Sequence, residues 1–594
     1  QANKISFPVE GLNVVVDREG KLELHEDESY TLLVTPSRMM LEAVTDIGAL
    51  RGLETALQLL SVDADGFYFP ACRIEDAPRF PWRGLLIDVC RHWQPVEVIK
   101  RNLDAMAAMK MNVLHWHLSE DQGFRIESKR FPQLHLLGSN GDFFTQEQVR
   151  DIIAYAGARG IRVVPEFDIP GHSTAWFVGH PELASAPGPY TIEKKFGVFD
   201  PAMNPANEAT YTFLTEFLAE MSALFPDAYF HIGGDENEGK QWDKNAEVNQ
   251  LKKDKGLKDN HAVQAYFNQR LLEILTENRK RMVGWDEILQ PGMPTNIVIQ
   301  SWRGKEALIN AAKAGYDVML SSGYYIDLCQ SASFHYGHDP IPADAALDAK
   351  AQAHVLGGEA TMWAELVSPE TIDSRIWPRT CAIAERLWSP AEVRDVADMY
   401  RRLRKASRDL EELGILHLRY AEVLMRRALR SESTGPLRTL CSVIAPVQGY
   451  KRHNQGIAYT TETPLTRLPD MAVPDPELPR EFASAVESML AKPDLLQALV
   501  VRNWLDVFRN NHKELEDQAV QAPAIRPILP LSQQLLDLSV VGIGLLEMLE
   551  KGESDLVRKD QYRLTIEKAR TPVQECEIQI VDAIAKMWDN VYGK

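Results

Sequence analysis

Between residues 83 and 390 short apolar runs alternate with stretches of helical periodicity, and this alternation constrains the chain more than any other feature. The runs are Gly84–Cys90, Asn112–Leu118, Ile161–Phe167, Ala228–Ile232, Arg281–Trp285, Ile297–Trp302, Asp317–Leu320 and His354–Gly357. Helical stretches separate most of them, at Val96–Met109, Gln146–Arg159, Glu208–Leu224, Ala262–Asn278 and Lys305–Ala314. Eight strands with intervening helices over about 300 residues predict an α/β chain closed as a (β/α)8 TIM barrel. An open doubly wound sheet is the alternative, but no Gly-x-Gly-x-x-Gly follows the first strand.

On this reading residues 1–75 form a small α+β domain, 76–395 the barrel and 396–594 a mostly helical C-terminal region. In the first, Gly11–Val16, Lys21–Leu24 and Tyr30–Val34 alternate like strands, and Ala43–Leu60 carries helical spacing. The prolines of Asp76-Ala-Pro-Arg-Phe-Pro-Trp82 mark a linker. In the last, Val393–Leu413 and Leu531–Leu549 are the clearest helices, and the Pro-rich stretch Pro464–Pro479 divides the region. It holds no chemical motif and reads as a bundle packed on the barrel or an oligomer contact.

Composition excludes several function classes. Lys and Arg number 65 against 84 Asp and Glu, a formal charge of −19, which disfavours nucleic acid and anionic membrane as partners. No run of 18 apolar residues is present, so no membrane span is expected. The six cysteines form no CxxC or Cys/His cluster, so neither a structural zinc site nor a dense disulfide framework is expected. The chain begins at Gln1 with no initiator Met or signal peptide; a secreted or periplasmic protein whose leader has been removed is the expectation, and a sequence trimmed at its start is the alternative.

Active sites of this architecture lie at the C-terminal ends of the strands. Here those ends read Asp88-Val-Cys-Arg91-His92, Ser119-Glu120-Asp121, Glu166-Phe-Asp168-Ile-Pro-Gly-His172, Gly233-Gly-Asp235-Glu236, Trp285-Asp-Glu287, Trp302-Arg303, Tyr324-Tyr325-Ile-Asp327 and Trp363-Ala-Glu365. Carboxylates supply proton transfer, and aromatic faces supply flat walls for the C–H faces of a sugar ring. Ten of the twelve tryptophans lie between Trp82 and Trp388. Carboxylates and aromatics without a metal cluster or phosphate loop point to glycoside chemistry, with no cofactor. His115 and His117 share one face of a strand and read as packed, hydrogen-bonded histidines rather than metal ligands. Glu287 and Arg303 read as a structural pair.

At His231-Ile-Gly-Gly-Asp235-Glu236 the chain resembles the β-N-acetylhexosaminidases of glycoside hydrolase family 20. The resemblance extends to Asp88–His92, His115–Gly123, Pro165–His172, Gly357–Glu365, Trp377–Arg379 and Glu385–Trp388, covering about 300 residues in order. It implies an exo-acting, retaining enzyme that removes terminal N-acetylhexosamine from an oligosaccharide or glycoconjugate, with transglycosylation as a second fate of the intermediate. It assigns Glu236 as general acid, Asp235 as the residue orienting the 2-acetamido group, and Tyr325 as donor to the acetamido oxygen, which is the nucleophile. Tyr325 is preferred to Tyr324 because Tyr-Ile-Asp matches the family's Tyr-x-Asp. Arg91, Asp327 and Glu365 would bind hydroxyls; Trp285, Trp302 and Trp363 would wall the sugar; Asp168 and His172 would support the acidic pair. Glu120 stands where many members carry Asp, so it is left out of the expected site. An enzyme releasing a disaccharide such as lacto-N-biose on the same scaffold, and a non-catalytic sugar-binding protein, remain as alternatives.

Overall fold

A computed structural model describes residues 11–492 and 495–593, together with the backbone of Lys4 and Ile5. Its N-terminal unit is a four-stranded sheet of β1 (Leu12–Arg18), β2 (Tyr30–Val34), β3 (Met39–Thr45) and β4 (Cys72–Asp76), in the order β1-β3-β2-β4. Helix α1 (Asp46–Leu59) covers one face, and Thr45 caps it by accepting from the Gly48 amide at 2.9 Å. Two expectations are corrected here. Ala43–Thr45 complete β3 rather than opening the helix, because the sheet ladder to Tyr30 runs through Ala43. Lys21–Leu24 is a bend and turn, not a strand. Its spacing of leucines has another cause: Leu24 packs with Trp82, Val113, Val164, Tyr229, Val283, Val298, Met319 and Leu356, all near the N-terminal ends of barrel strands. It is a plug in the bottom of the barrel, 7% exposed, and burying such a side chain is worth about 1.5–3 kcal/mol.

The barrel closes through eight parallel strands: β5 (Trp82–Asp88), β6 (Val113–His117), β7 (Arg162–Glu166), β8 (Tyr229–His231), β9 (Arg281–Trp285), β10 (Val298–Ser301), β11 (Asp317–Leu320) and β12 (Val355–Met362), which returns to β5. All eight overlap the sequence expectation, and helices at Val96–Ala108, Gln146–Gly157, Glu208–Leu224, Asn260–Glu277 and Lys305–Lys313 fill the expected connections. Alternation along the strands produces two interior layers. Below lies the apolar floor of Leu24 and its partners. Above it lies a polar layer in which Glu166 meets His115, His117 and His231, and Glu359 meets His115, Gln300 and Trp82. Gly84 makes this layer sterically feasible: a Cβ there would stand 2.4 Å from the Glu359 carboxylate.

Past the barrel, α2 (Val396–Glu412) buries Met399, Leu403 and Leu410 in the barrel's own core. A second core runs from Tyr420 to Tyr592. Its longest members are α3 (Leu495–Gln521) and α4 (Leu529–Lys551), so the C-terminal region is a helical bundle. The segment Pro523–Lys551 has the length and apolarity to cross a membrane (mean hydropathy 1.4), which the count of uninterrupted apolar runs did not anticipate; 61% of that window is buried inside the protein. Leu531, Leu535, Leu538, Leu545 and Leu546 spend its apolar side on the bundle. All six cysteines are free.

Candidate active site

The barrel's C-terminal mouth is organised by the turn after β8. Gly233 (φ 67°) and Gly234 (φ 89°) take left-handed backbone, and Glu236 follows with φ 50°. Neighbouring residues of a strand face opposite ways; this turn instead brings Asp235 and Glu236 to one side. A Cβ at Gly233 would fall 1.9 Å from Asp168 Oδ1, so no other residue fits. Both carboxylates face His172, whose Nε2 lies 3.4 Å from Glu236 and 3.9 Å from Asp235. The Glu236 side chain is 36% exposed and Asp235 13%, so Glu236 is the one open to the pocket.

Each of the pair is supported from beneath. Asp168 accepts from the Gly234 amide at 3.0 Å and hydrogen-bonds the Asp235 side chain. Burial, and then the Asp235 charge, push the Asp168 carboxyl well above the usual carboxylate range. Burial and the Glu236 charge, opposed by His172, raise Asp235 to about 6. Asp235 is therefore ionised above that pH, hydrogen-bonded to an Asp168 that holds its proton more tightly. Burial lowers the affinity of His172 for a proton, but the Glu120 charge and hydrogen bond more than reverse this and keep the imidazole cationic.

Glu120 is the central residue that sequence reasoning set aside. One oxygen lies 2.7 Å from His172 Nδ1; the other lies 2.9 Å from Arg91 Nη2 and 3.3 Å from His117 Nε2. The hairpin of Ser119–Glu120 with Gly123–Phe124 sets the backbone from which the Glu120 carboxylate reaches all three partners. Arg91 also meets Asp88 at 3.2 Å and stacks over Trp363 at 5.0 Å.

The aromatic residues form a connected wall. Tyr325 stacks against Trp302 (6.2 Å, 27°) and faces Trp363 at 6.4 Å, and Trp285 stands 5.7 Å from Trp363. Trp285 lies deepest, donating to Glu166 at 3.0 Å. Tyr324 points away, its hydroxyl donating to the His338 carbonyl at 3.1 Å. Burial and the nearby Asp235 charge raise the Tyr325 phenol, which stays protonated as a donor. Asp327 and Glu365 sit together at the opposite edge; burial and the Glu365 charge raise Asp327, and its Oδ1 is buried without a partner. Glu287 does more than pair with Arg303, which lies 3.6 Å away: it accepts from Trp302 Nε1 at 3.0 Å and so orients that ring.

His115 and His117 are hydrogen-bonded, to Glu359 and Glu166, each at 2.6 Å. Folding also assembles donor sets that sequence spacing does not show. Among the described residues, His115, Glu166 and His231, and separately His172, Asp235 and Glu236, offer atoms within 4.8 Å of one another. In the first set Glu166 already binds all three imidazoles around it: burial pushes its carboxyl up, and His117, His231 and His115 pull it well below the usual range. That is the chemistry of a buried proton-holding network.

The mouth thus pairs one open carboxyl with one shielded carboxylate, an aromatic wall and a second pair of buried carboxyls, an arrangement suited to glycoside chemistry. The profile described as "Glycosyl hydrolase family 20, catalytic domain" matches residues 80–391, more than half of the chain. The chain belongs to glycoside hydrolase family 20. A second profile, "beta-acetyl hexosaminidase like", matches residues 3–59. The family 20 chitobiase of Flavobacterium johnsoniae superposes with a TM-score of 0.94 at 43% identity, over 97% of this chain and 88% of that one. The beta-hexosaminidase subunit beta of Felis catus is 40% identical over 410 residues, 66% of this chain and 76% of its own length. A Vibrio harveyi exo beta-N-acetylglucosaminidase solved with N-acetylglucosamine is 31% identical with a TM-score of 0.61, covering 68% of each chain. This family 20 chain is a glycoside hydrolase, and its barrel, small N-terminal domain and helical C-terminal region are the family fold as elaborated in the Flavobacterium enzyme.

Proposed function

We propose that this chain is an exo-acting β-N-acetylhexosaminidase that cleaves terminal N-acetylhexosamine with retention, using the substrate's own acetamido oxygen as nucleophile. The observation that carries the reading is the placement of Asp235 and Glu236 on one side of a glycine turn, both facing His172, with Tyr325 near enough to feel the Asp235 charge. Protonated Glu236 gives its proton to the glycosidic oxygen as the C1–O bond breaks. The acetamido carbonyl oxygen forms the new bond to C1, giving an oxazolinium ring. Asp235 accepts a hydrogen bond from the acetamido N–H and offsets the positive charge that grows there. Tyr325 donates to the acetamido oxygen and holds it in line. Glu236, now a carboxylate, takes a proton from water as that water attacks C1 and opens the ring. Two inversions at C1 leave net retention.

Arg91, Asp327 and Glu365 bind ring hydroxyls, while Trp285, Trp302 and Trp363 enclose the acetamido group and ring. Asp168 and His172 position the acidic pair. The partner is an N-acetylhexosamine glycoside. The test is hydrolysis of aryl β-glycosides: N-acetylglucosaminide or N-acetylgalactosaminide turns over, while the plain glucoside does not. Equal rates on the glucoside would refute the reading, as would cleavage only of an aryl disaccharide.

A further inference from the structure

The C-terminal bundle, outside the family 20 catalytic profile, lays a segment along the barrel mouth. It leaves the two-stranded pairing of Ile444–Pro446 with Cys576–Ile578, and the Val447 amide donates to the Glu575 carbonyl at 2.9 Å. Arg452 then locks it from within. Its guanidinium is buried, donating to Asp470 at 2.7 Å and to the Tyr459 hydroxyl at 3.0 Å, and that hydroxyl donates in turn to Glu575. The far end is tied to a loop of the barrel: the Thr461 amide donates to the Lys194 carbonyl at 2.9 Å, and Lys195 bridges Thr460. Arg375 pins the following turn by donating to the Pro469 and Ala472 carbonyls at 2.6 and 3.0 Å.

Between these anchors the turn Gly449–Asn454 faces a small cavity whose opposite wall is Asp327, Trp363 and Glu365. Tyr450 lines it and is 58% exposed as a residue. Its hydroxyl lies within electrostatic reach of Asp327, Glu365 and Glu236, in that order of strength. The turn is held by the buried residues Ala445, Pro446 and Val447 before it and by the buried Arg452 within it, so the Tyr450 backbone is fixed at the edge of the cavity while its side chain stays partly exposed. Across from it, Asp327 Oδ1 is a buried acceptor without a donor. A sugar hydroxyl placed on that acceptor would have Tyr450 as its next neighbour.

We infer that Tyr450 is a specificity-determining residue: it closes the edge of the sugar site that carries the hydroxyls bound by Asp327 and Glu365, the edge remote from C1 and the 2-acetamido group where the hydroxyls at C3, C4 and C6 lie, and excludes sugars substituted there. The inference rests on the reading of Asp327 and Glu365 as hydroxyl-binding residues. It makes the bundle part of the substrate pocket, so the barrel alone does not define which terminal sugars enter.

The test uses the full chain with Tyr450→Ala and Tyr450→Phe. Three aryl glycosides are compared: N-acetylglucosaminide, its C4 epimer N-acetylgalactosaminide, and 6-O-methyl-N-acetylglucosaminide. Losing the contact should raise KM for the unsubstituted sugar about 3–10-fold, the size of one modest hydrogen-bonding contact, with kcat within about twofold. Tyr450→Ala should raise kcat/KM for the 6-O-methyl sugar relative to the parent by about tenfold or more, as the wall is removed, and should shift the ratio between the epimers. Tyr450→Phe should keep the exclusion and lose only the hydroxyl's share. Unchanged ratios in Tyr450→Ala, at unchanged melting temperature, would overturn the inference. So would an effect that follows the leaving group, comparing aryl with chitobiose, instead of the terminal sugar. Calorimetric titration with free N-acetylglucosamine separates the two failures: a wild type that binds the sugar more tightly than Tyr450→Ala keeps the wall even if turnover is absent, whereas a wild type that neither binds nor hydrolyses removes the activity reading itself.

Discussion

Replacing Glu120 by Gln isolates the buried ion network under the acidic pair Asp235 and Glu236. Glu120 is 1% exposed and bridges two cations, His172 at 2.7 Å and Arg91 at 2.9 Å. Gln keeps the shape and removes the charge. Its single carbonyl can serve one partner, so its amide N–H2 must face the other donor. The cost combines a lost charge-assisted hydrogen bond, about 1.5–3 kcal/mol, with a buried cation left without its counter-charge. Breaking one side of a buried pair typically costs about 3–5 kcal/mol, and that is the range expected for the loss of folding stability in urea titration at pH 7. The sign with pH follows from His172. Its raised proton affinity contributes stability that is full below its unfolded pKa and is lost as pH rises through the folded value. Glu120→Gln lowers that folded value, so the deficit should be smaller at high pH, where His172 is neutral in both proteins. Catalysis should respond as well: kcat falls as a deprotonated His172 ceases to hold the Glu236 and Asp235 carboxylates, and KM rises as Arg91 loses its anchor. A variant within about 0.5 kcal/mol of wild type, the scatter of ordinary surface substitutions, and with an unchanged pH profile, would refute the claim that Glu120 organises the site.

Three further outcomes follow from the same geometry. Glu236→Gln should fold normally and lose about 10²–10⁴-fold in kcat, with the loss shrinking for aryl leaving groups that need little protonation; equal losses across leaving-group pKa would remove Glu236 from the acid role. Because Asp235 is raised to about 6 by burial and by Glu236, kcat/KM of the free enzyme should fall as pH drops through that value, with the limb belonging to the Asp168–Asp235 pair as a unit; above pH 6 the ionised, buried Asp235 costs stability, so Asp235→Asn should stabilise the fold at pH 8 by up to roughly 3 kcal/mol, and this gain should vanish below about pH 4, a prediction that urea titrations at the two pH values check. Leu24→Ala should cost about 2–5 kcal/mol in the same titration, while kcat and KM of the folded enzyme stay unchanged, since the plug lies at the end of the barrel away from the chemistry.

Most of the barrel is visible in the chain because strands buried on both faces read as continuous apolar runs between helical spacings. Strand ends then locate the mouth, and all of the expected site residues lie there, from Arg91 on β5's exit to Glu365 beyond β12. Lys21–Leu24 shows where local pattern fails. Leucines two apart fit a strand, yet the pull on Leu24 comes from eight strand ends distant in sequence. Glu120 was discounted on length, and only the hairpin that positions its backbone reveals its reach. Tyr450 carried no signal at all. It lies far beyond the last barrel strand, in a region without a motif, and reaches the pocket because Arg375 ties that region to the barrel while Arg452 holds the segment from within. Tyr324 and Tyr325 were separable only by a family spacing; the structure sends one hydroxyl to a backbone carbonyl and the other ring into the aromatic wall.

The central claim, that the acetamido oxygen attacks C1, is tested most directly by replacing the acetyl methyl hydrogens of an aryl N-acetylglucosaminide with fluorine, one at a time, and measuring kcat/KM for each. Fluorine withdraws electrons from the carbonyl and weakens its oxygen as a nucleophile without changing the residues around it. The rate should fall steeply at each step from CH3 to CF3. A flat series, or a sugar trapped covalently on an aspartate or glutamate of the barrel mouth, would contradict substrate assistance and require a protein nucleophile.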